Sequence, residues 1–157
     1  MLGKFREKYK KAMEPIGRSI AKSGITANML TFISLIVSII SGIFFALNNL
    51  ILGVIFILIT AFVDMLDGAV ARATGKETSF GAVWDHLLDR YAEFSIVFGI
   101  GLSIYANLWV SFFTLFSMIM ASFVRAKAES VGKLEKCTVG IAERQEKLIL
   151  IIIGCIL

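Results

Sequence analysis

Apolar positions in this chain run in long unbroken blocks, and charge interrupts them at a few places only. No Asp, Glu, Lys or Arg occurs between Lys22 and Asp64, and none between Glu93 and Arg125. At 1.5 Å of rise per residue, one membrane-crossing helix needs about 20 residues. Each block is too long for one crossing and long enough for two joined by a tight turn. Turn formers sit near the middle of each block: Asn48-Asn49 in the first, Tyr105-Ala106-Asn107 in the second. Asn tolerates left-handed backbone angles, and Tyr105 with Trp109 suits the headgroup level. The pattern predicts four spans, roughly Met29–Leu47, Leu50–Ala71, Phe80–Ile104 and Leu108–Ala126. The apolar stretch Leu148–Leu157, extended back to Ile141, predicts most of a fifth that ends before a full crossing; a short buried or interfacial helix is the alternative.

Before the first span, Leu2, Phe5, Tyr9, Met13, Ile16 and Ile20 recur at helical spacing, while Lys4, Lys8, Lys11, Arg18 and Lys22 lie largely on the other face. Residues 1–22 are therefore expected to form a basic amphipathic helix lying on the inner leaflet. Pro15 is placed to kink or divide it. No apolar core of a signal peptide precedes residue 29.

Composition agrees. Hydrophobic residues make up 57% of the 157 and charged residues only 18%, and the mean hydropathy is +0.83. Soluble domains carry about 25% charged residues. One proline argues against a loop-rich β protein, and two cysteines cannot build a disulfide framework; Cys137 and Cys155 receive no role. The expectation is a single all-α polytopic membrane domain over 1–157. Its net charge of +4 is distributed unevenly. Both predicted turns are uncharged, and the Lys and Arg residues fall on the opposite side. The positive-inside rule places that side, and the N-terminus, in the cytoplasm of a cell-membrane protein. The basic charge is thereby assigned to the membrane face, with no nucleic-acid partner.

Four aspartates carry the candidate chemistry. Asp64 and Asp67 are three apart at the cytoplasmic end of the second span, and Asp85 and Asp89 are four apart near the start of the third. Both spacings place each pair on one helical face. The spans are consecutive and antiparallel, so the pairs can face each other. Ionised groups within a span are costly and mark function by default. Oxygen-only ligands suit Mg²⁺, Mn²⁺ or Ca²⁺, and no Cys/His cluster points to zinc. The bland alternative, ordinary helix-end charges in water, fits Asp64 and Asp67 alone but fits four in register poorly. Gly68, Ala71 and Gly81 lie near the same faces and permit close approach of a helix or ligand, with packing the commoner use. Arg72, one turn on, can pair with an Asp or offer its fork of donors to a phosphate.

These residues spell D-x-x-D-G-x-x-A-R, eight residues, then G-x-x-x-D-x-x-x-D, from Asp64 to Asp89, and all eight fixed positions are present. The stretch resembles the signature of the CDP-alcohol phosphatidyltransferase family. That resemblance implies an integral membrane enzyme of six helices, of which this chain supplies about five. It implies transfer of a phosphatidyl-type group from a CDP-linked lipid to an alcohol with release of CMP, using two divalent cations, Mg²⁺ or Mn²⁺. It implies metal ligation by Asp64, Asp67 and Asp85, a general-base role for Asp89 with a possible metal contact, and contacts of Gly68, Ala71, Arg72 and Gly81 with the cytidine diphosphate. Homodimers are usual in the family. Upstream, Gly24-Ile25-Thr26-Ala27-Asn28-Met29-Leu30-Thr31 resembles the family's first-span start, with Ala27 where proline is common. It implies nucleotide contacts from Asn28 and Thr31; helix capping by Thr26 or Asn28 is the equal alternative.

Downstream, Ser122-Phe123-Val124-Arg125-Ala126-Lys127-Ala128-Glu129 and Gly140-Ile141-Ala142-Glu143-Arg144 resemble the branch that makes phosphatidylinositol phosphate or archaetidylinositol phosphate. The implied acceptor is inositol 1-phosphate, its phosphate bound by Ser122, Arg125 and Arg144 with help from Lys127. The implied donor is CDP-diacylglycerol or CDP-archaeol. Arg125 and Lys127 also read as ordinary stop charges, and Lys147 stands where the branch often has arginine. A sister enzyme using glycerol 3-phosphate or serine is the alternative. An ion transporter would need polar groups across the whole bilayer depth, and the outer halves of these spans are nearly free of ionisable residues. Three further residues are given no catalytic part. His86 is read as a packed or interfacial histidine, Glu93 as an ion-pair partner of Arg90 or another base, and Trp84 as an interface anchor.

Overall fold

The computed structural model describes residues 2–75, 78–133 and 144–156, with side chains described from residue 12 to 155 except 76–77 and 134–146. Six helices follow in order: α1 (Leu2–Lys22), α2 (Ala27–Ala46), α3 (Leu50–Thr74), α4 (Ser79–Leu102), α5 (Leu108–Ser130) and α6 (Arg144–Ile156). No strand occurs among the described residues. Helix α2 is the hub, packing on both α3 and α4; α1 packs on α3, α5 on α4, and α6 on α3.

The turns fall where the asparagines are. Asn48 takes the left-handed conformation at φ 61°, and the Asn49 side chain caps α3 by accepting from Leu52 N at 3.1 Å. Asn107 caps α5 by accepting from Trp109 N at 2.9 Å. The two turns also clasp each other. Asn48 Oδ1 accepts from Ile104 N at 2.8 Å, and the Asn48 carbonyl accepts the Tyr105 hydroxyl at 2.7 Å. Both uncharged turns thus lie at one end of the bundle, and the aspartates lie at the other.

Helices α2, α3 and α5 are each long and apolar enough to cross a membrane. Helix α4, expected as a span, has the length, but it carries Asp85, Asp89, Arg90 and Glu93. The bundle buries small polar side chains alongside its apolar clusters and exposes large apolar ones. Thr31, Ser34, Ser38 and Ser41 of α2 and Thr60 of α3 are buried, while Phe32, Ile36, Ile39 and Ile43 of α2 and Ile51, Ile55, Leu58 and Phe62 of α3 are exposed. Lipid takes the outside as readily as a protein core would. Association therefore rests on close packing of small residues and on hydrogen bonds such as Ser41 Oγ to Gly53 O at 2.8 Å. Helices α2 and α4 cross where Gly42 faces the Ser95 carbonyl and Gly99 faces the backbone of Gly42, so a Cβ on either glycine would overlap the other helix.

Helix α1 departs from expectation in two ways. Pro15 does not divide it, since α1 is one helix with Pro15 inside. Nor is its second half simply laid on lipid. Gly17 meets the backbone of α3, where a Cβ would come within 2.6 Å of the Ala69 carbonyl. Met13, Ile20 and Ala21 pack on the buried cluster of Leu30, Leu66 and Val70. A glycine within the apolar face lets α1 sink onto the helix that carries Asp64 and Asp67.

Glycine-to-alanine exchange in a helix interior gains up to about 1 kcal/mol in propensity where the methyl is accommodated. Gly154→Ala, which meets open space, is therefore expected to leave the thermal melt of the detergent-solubilised protein level or raise it. Gly42→Ala is expected to lower it by several degrees. Equal melts for the two variants contradict the close α2–α4 crossing.

Candidate active site

The end of α3 and the start of α4 bring three carboxylates together. One oxygen each from Asp64, Asp67 and Asp85 lies within 4.8 Å of the others. Asp85 and Asp89, one turn apart on α4, also come within 4.8 Å of each other and of the His86 ring. Asp67 and Asp89 are buried, at 7% and 8% exposure, and Asp64 and Asp85 are half-buried. His86 is exposed. The sequence placed the two pairs on facing helices, and the structure brings Asp64, Asp67 and Asp85 together, with Asp89 joined to them through Asp85.

Thr31 enters from α2. Its hydroxyl lies 2.9 Å from Asp67 Oδ2 and 3.1 Å from the Ala27 carbonyl, and the residue is 4% exposed. The structure therefore gives Thr31 a carboxylate partner, which the sequence reading had not foreseen. A donor on one oxygen turns the other toward a cation, as outer-shell hydrogen bonds commonly do. The donor set is oxygen throughout apart from the exposed His86. It suits a hard divalent cation, and Asp64, Asp67 and Asp85 are the residues placed to hold one.

The neighbouring signature residues form a cradle. Arg72 folds back over Gly68, where a Cβ would stand 3.1 Å from its Nη1. Thr78, unassigned by the sequence, caps α4 by accepting from Gly81 N at 2.9 Å. A Cβ on Gly81 would meet Thr78 Oγ1 at 3.0 Å and Asn28 Oδ1 at 3.5 Å. The start of α2 and the start of α4 are thus brought side by side at Asn28 and Gly81. Thr26, accepting from Met29 N at 3.3 Å, is the cap of α2, which leaves the Asn28 side chain to this junction. Ala71, half-buried, follows on α3. Beside the cradle, an open groove of about 410 Å³ is lined by Asn28, Met29, Phe32, Ile33, Phe80 and Trp84. Trp84 stacks on Phe80 with centroids 6.1 Å apart.

The expected acceptor residues divide. Ser122 turns inward and accepts from Arg90 Nη1 at 3.0 Å. Arg125 pairs along its own helix with Glu129 at 3.2 Å, and Lys127 lies over the Phe123 ring at 5.8 Å. The Arg144 side chain lies outside the described residues. Sequence reasoning assigned Arg90 nothing beyond a partner for Glu93; that pairing is present at 2.6 Å, and the bond to Ser122 was not foreseen. The i, i+3 spacing signalled the first contact. Only the packing of α4 on α5 reveals the second.

A family model described as CDP-alcohol phosphatidyltransferase matches residues 24–157. The chain belongs to this family. It is 43% identical over 154 residues to an archaetidylinositol phosphate synthase of Pyrococcus horikoshii, covering 98% of this chain and 81% of that one. It is 32% identical over 165 residues to a phosphatidylinositol phosphate synthase of Mycobacteroides abscessus, covering 96% and 71%. Among solved structures it is similar to the Mycobacterium tuberculosis phosphatidylinositol phosphate synthase with CDP-DAG bound, with TM-score 0.82 and 28% identity over 92% of this chain and 75% of that one. It also matches that enzyme in complex with manganese and citrate, with TM-score 0.81 and 29% identity over 91% and 71%. The chain is a membrane enzyme of the CDP-alcohol phosphatidyltransferase family, and its cluster of aspartates fits the divalent-cation chemistry of such a relative.

Thr31→Val keeps the shape of the side chain and removes the donor to Asp67. Loss of such an outer-shell contact typically costs about 10–100-fold in metal affinity. Titration of the purified protein with Mn²⁺, read by electron paramagnetic resonance, is expected to show a loss in that range. Unchanged affinity contradicts the orienting role.

Proposed function

We propose that this enzyme transfers a phosphatidyl-type group from a CDP-linked lipid, CDP-archaeol or CDP-diacylglycerol, to inositol 1-phosphate and releases CMP. The observation that carries the reading is the meeting of Asp64, Asp67 and Asp85, with Asp89 one turn on from Asp85 and within 4.8 Å of it, beside an apolar groove that starts at Asn28. A charged diphosphate and a hydrocarbon tail need such neighbours. The inositol phosphate acceptor is favoured by the names of the relatives and by the pairing of Ser122 with Arg90.

In this reading Arg72, Asn28, Gly68, Ala71 and Gly81 seat the cytidine diphosphate, the glycines by leaving room for it. The groove residues Met29, Phe32, Ile33, Phe80 and Trp84 take the first part of the lipid chain. Asp64, Asp67 and Asp85, with Asp89 at the edge, hold two divalent cations, Mg²⁺ or Mn²⁺, which supply charge neutralisation to the diphosphate. Asp89 accepts the proton of the acceptor hydroxyl. That oxygen bonds to the lipid-bearing phosphorus, the phosphorus–oxygen bond to CMP breaks, and CMP leaves with the electron pair. Ser122, Arg125, Lys127 and Arg144 supply donors and positive charge to the acceptor phosphate. The positive-inside distribution supports a cytoplasmic site, and a homodimer is the assembly the family suggests.

The test is CMP release by the purified protein with Mn²⁺ or Mg²⁺, with inositol 1-phosphate, free inositol, glycerol 3-phosphate and serine compared. Release dependent on inositol 1-phosphate is expected; release with another acceptor alone overturns the acceptor assignment. Asp89→Asn is expected to lower turnover by about 10²–10⁴-fold, the span for a lost general base, with CDP-lipid binding retained. Turnover at the wild-type rate removes Asp89 from the mechanism.

A further inference from the structure

Helix α4 carries a third carboxylate on the face of Asp85 and Asp89. Glu93 follows Asp89 by four residues, one turn or about 6 Å along the helix. Its side chain is 4% exposed, and two cations converge on it. Arg90 Nη1 lies 2.6 Å from Oε2, and Lys147 Nζ, arriving from α6, lies 4.0 Å from Oε1. That second distance is a charge contact rather than a hydrogen bond, and Oε1 has no hydrogen-bond partner among the described residues. Arg90 uses the same nitrogen to reach Ser122 of α5 at 3.0 Å. One buried carboxylate therefore ties α4, α5 and α6 together through two cations.

A carboxylate so well buried is costly unless its neighbours compensate it. Packing alone is better served by an apolar side chain. Its presence beside Asp85 and Asp89 calls for a use, and the charge balance indicates which. Glu93 with Arg90 and Lys147 sums to one net positive charge, set one turn from the carboxylate proposed to take the acceptor's proton. A phosphorylated alcohol lying there places its hydroxyl at Asp89 and its dianionic phosphate against that positive charge. Arginine and lysine side chains are long and flexible, and an anchor that removes their freedom before the ligand arrives raises affinity.

We propose that Glu93 is a positioning residue for the acceptor phosphate, holding Arg90 and Lys147, and through Arg90 also Ser122, as one basic wall of the acceptor pocket. This rests on the function proposed above and adds to it three residues, Glu93, Arg90 and Lys147. Glu93 acts through its two cations and does not touch the substrate. The CDP-lipid, seated at the junction of α2, α3 and α4, is indifferent to it.

The test separates the two substrates. Steady-state CMP release by wild type and Glu93→Gln is measured with inositol 1-phosphate varied at saturating CDP-lipid, and then the reverse. The expected result is an acceptor KM raised about tenfold or more, with the CDP-lipid KM changed by less than about twofold. Glu93→Asp, which restores the charge, is expected to recover most of the loss. The thermal melt gives a readout apart from turnover. Inositol 1-phosphate is expected to raise the melt of wild type but not of Glu93→Gln, and CDP-lipid to raise both. Should Glu93→Gln fail to fold, Lys147→Met leaves the Glu93–Arg90 pair intact and is expected to raise the acceptor KM alone. Equal changes in both KM values, or an unchanged acceptor KM, overturn the positioning role while wild-type release with inositol 1-phosphate upholds the function. No release by wild type with any acceptor overturns the function, and the positioning role with it.

Discussion

Carboxylates held within 4.8 Å of one another repel, and the rest of the bundle is arranged to hold them there. At an effective dielectric near 20, each such pair of charges costs roughly 3–4 kcal/mol. Two helices left to themselves would relieve that repulsion by moving apart. Helix α2 prevents it, because it packs on both α3 and α4 and its glycine contact with α4 at Gly42 and Gly99 leaves no slack. The Thr31 donor to Asp67 and the docking of α1 through Gly17 brace α3 from two further sides. A cation held among those carboxylates would turn mutual repulsion into shared attraction.

The membrane makes such a site feasible. Lipid accepts the exposed Phe, Ile and Leu of α2, α3 and α5, so the interior can hold polar side chains beside apolar clusters such as Phe45, Ile57 and Ile96. Thr31, Ser34, Ser38 and Ser41 of α2 and Thr60 of α3 sit in that interior, and the aspartates continue it toward the aqueous end. Charge is thereby confined to the end where the helices meet water, and the apolar groove at Phe80 and Trp84 opens beside it. One molecule can present a nucleotide to the first and a hydrocarbon chain to the second.

Much of this was legible in the residues. Charge-free blocks broken by Asn48-Asn49 and Tyr105-Ala106-Asn107 predicted two hairpins, and α2 through α5 begin and end within a few residues of the expected bounds. The spacing of Asp64, Asp67, Asp85 and Asp89 predicted their convergence because it depends only on helical period and an antiparallel turn. What depends on the angle at which helices cross was not legible. The seating of Gly17 on Ala69, the reach of Thr31 to Asp67 and the bond from Arg90 to Ser122 join residues far apart in sequence. No local period signals these contacts. Small residues at Gly42 and Gly99 permit a close crossing without saying which partner they meet. The amphipathic pattern of α1 was read correctly as a helix, but an apolar face looks the same whether lipid or protein covers it.

Asp64, Asp67 and Asp85, from two helices, are placed to make one divalent-cation site. Crystals of the protein grown with Mn²⁺, measured near the manganese absorption edge, test it most directly. Anomalous density enclosed by those three carboxylates is expected, and its loss in Asp67→Asn. Manganese bound elsewhere, with the aspartates paired to basic side chains instead, would contradict it.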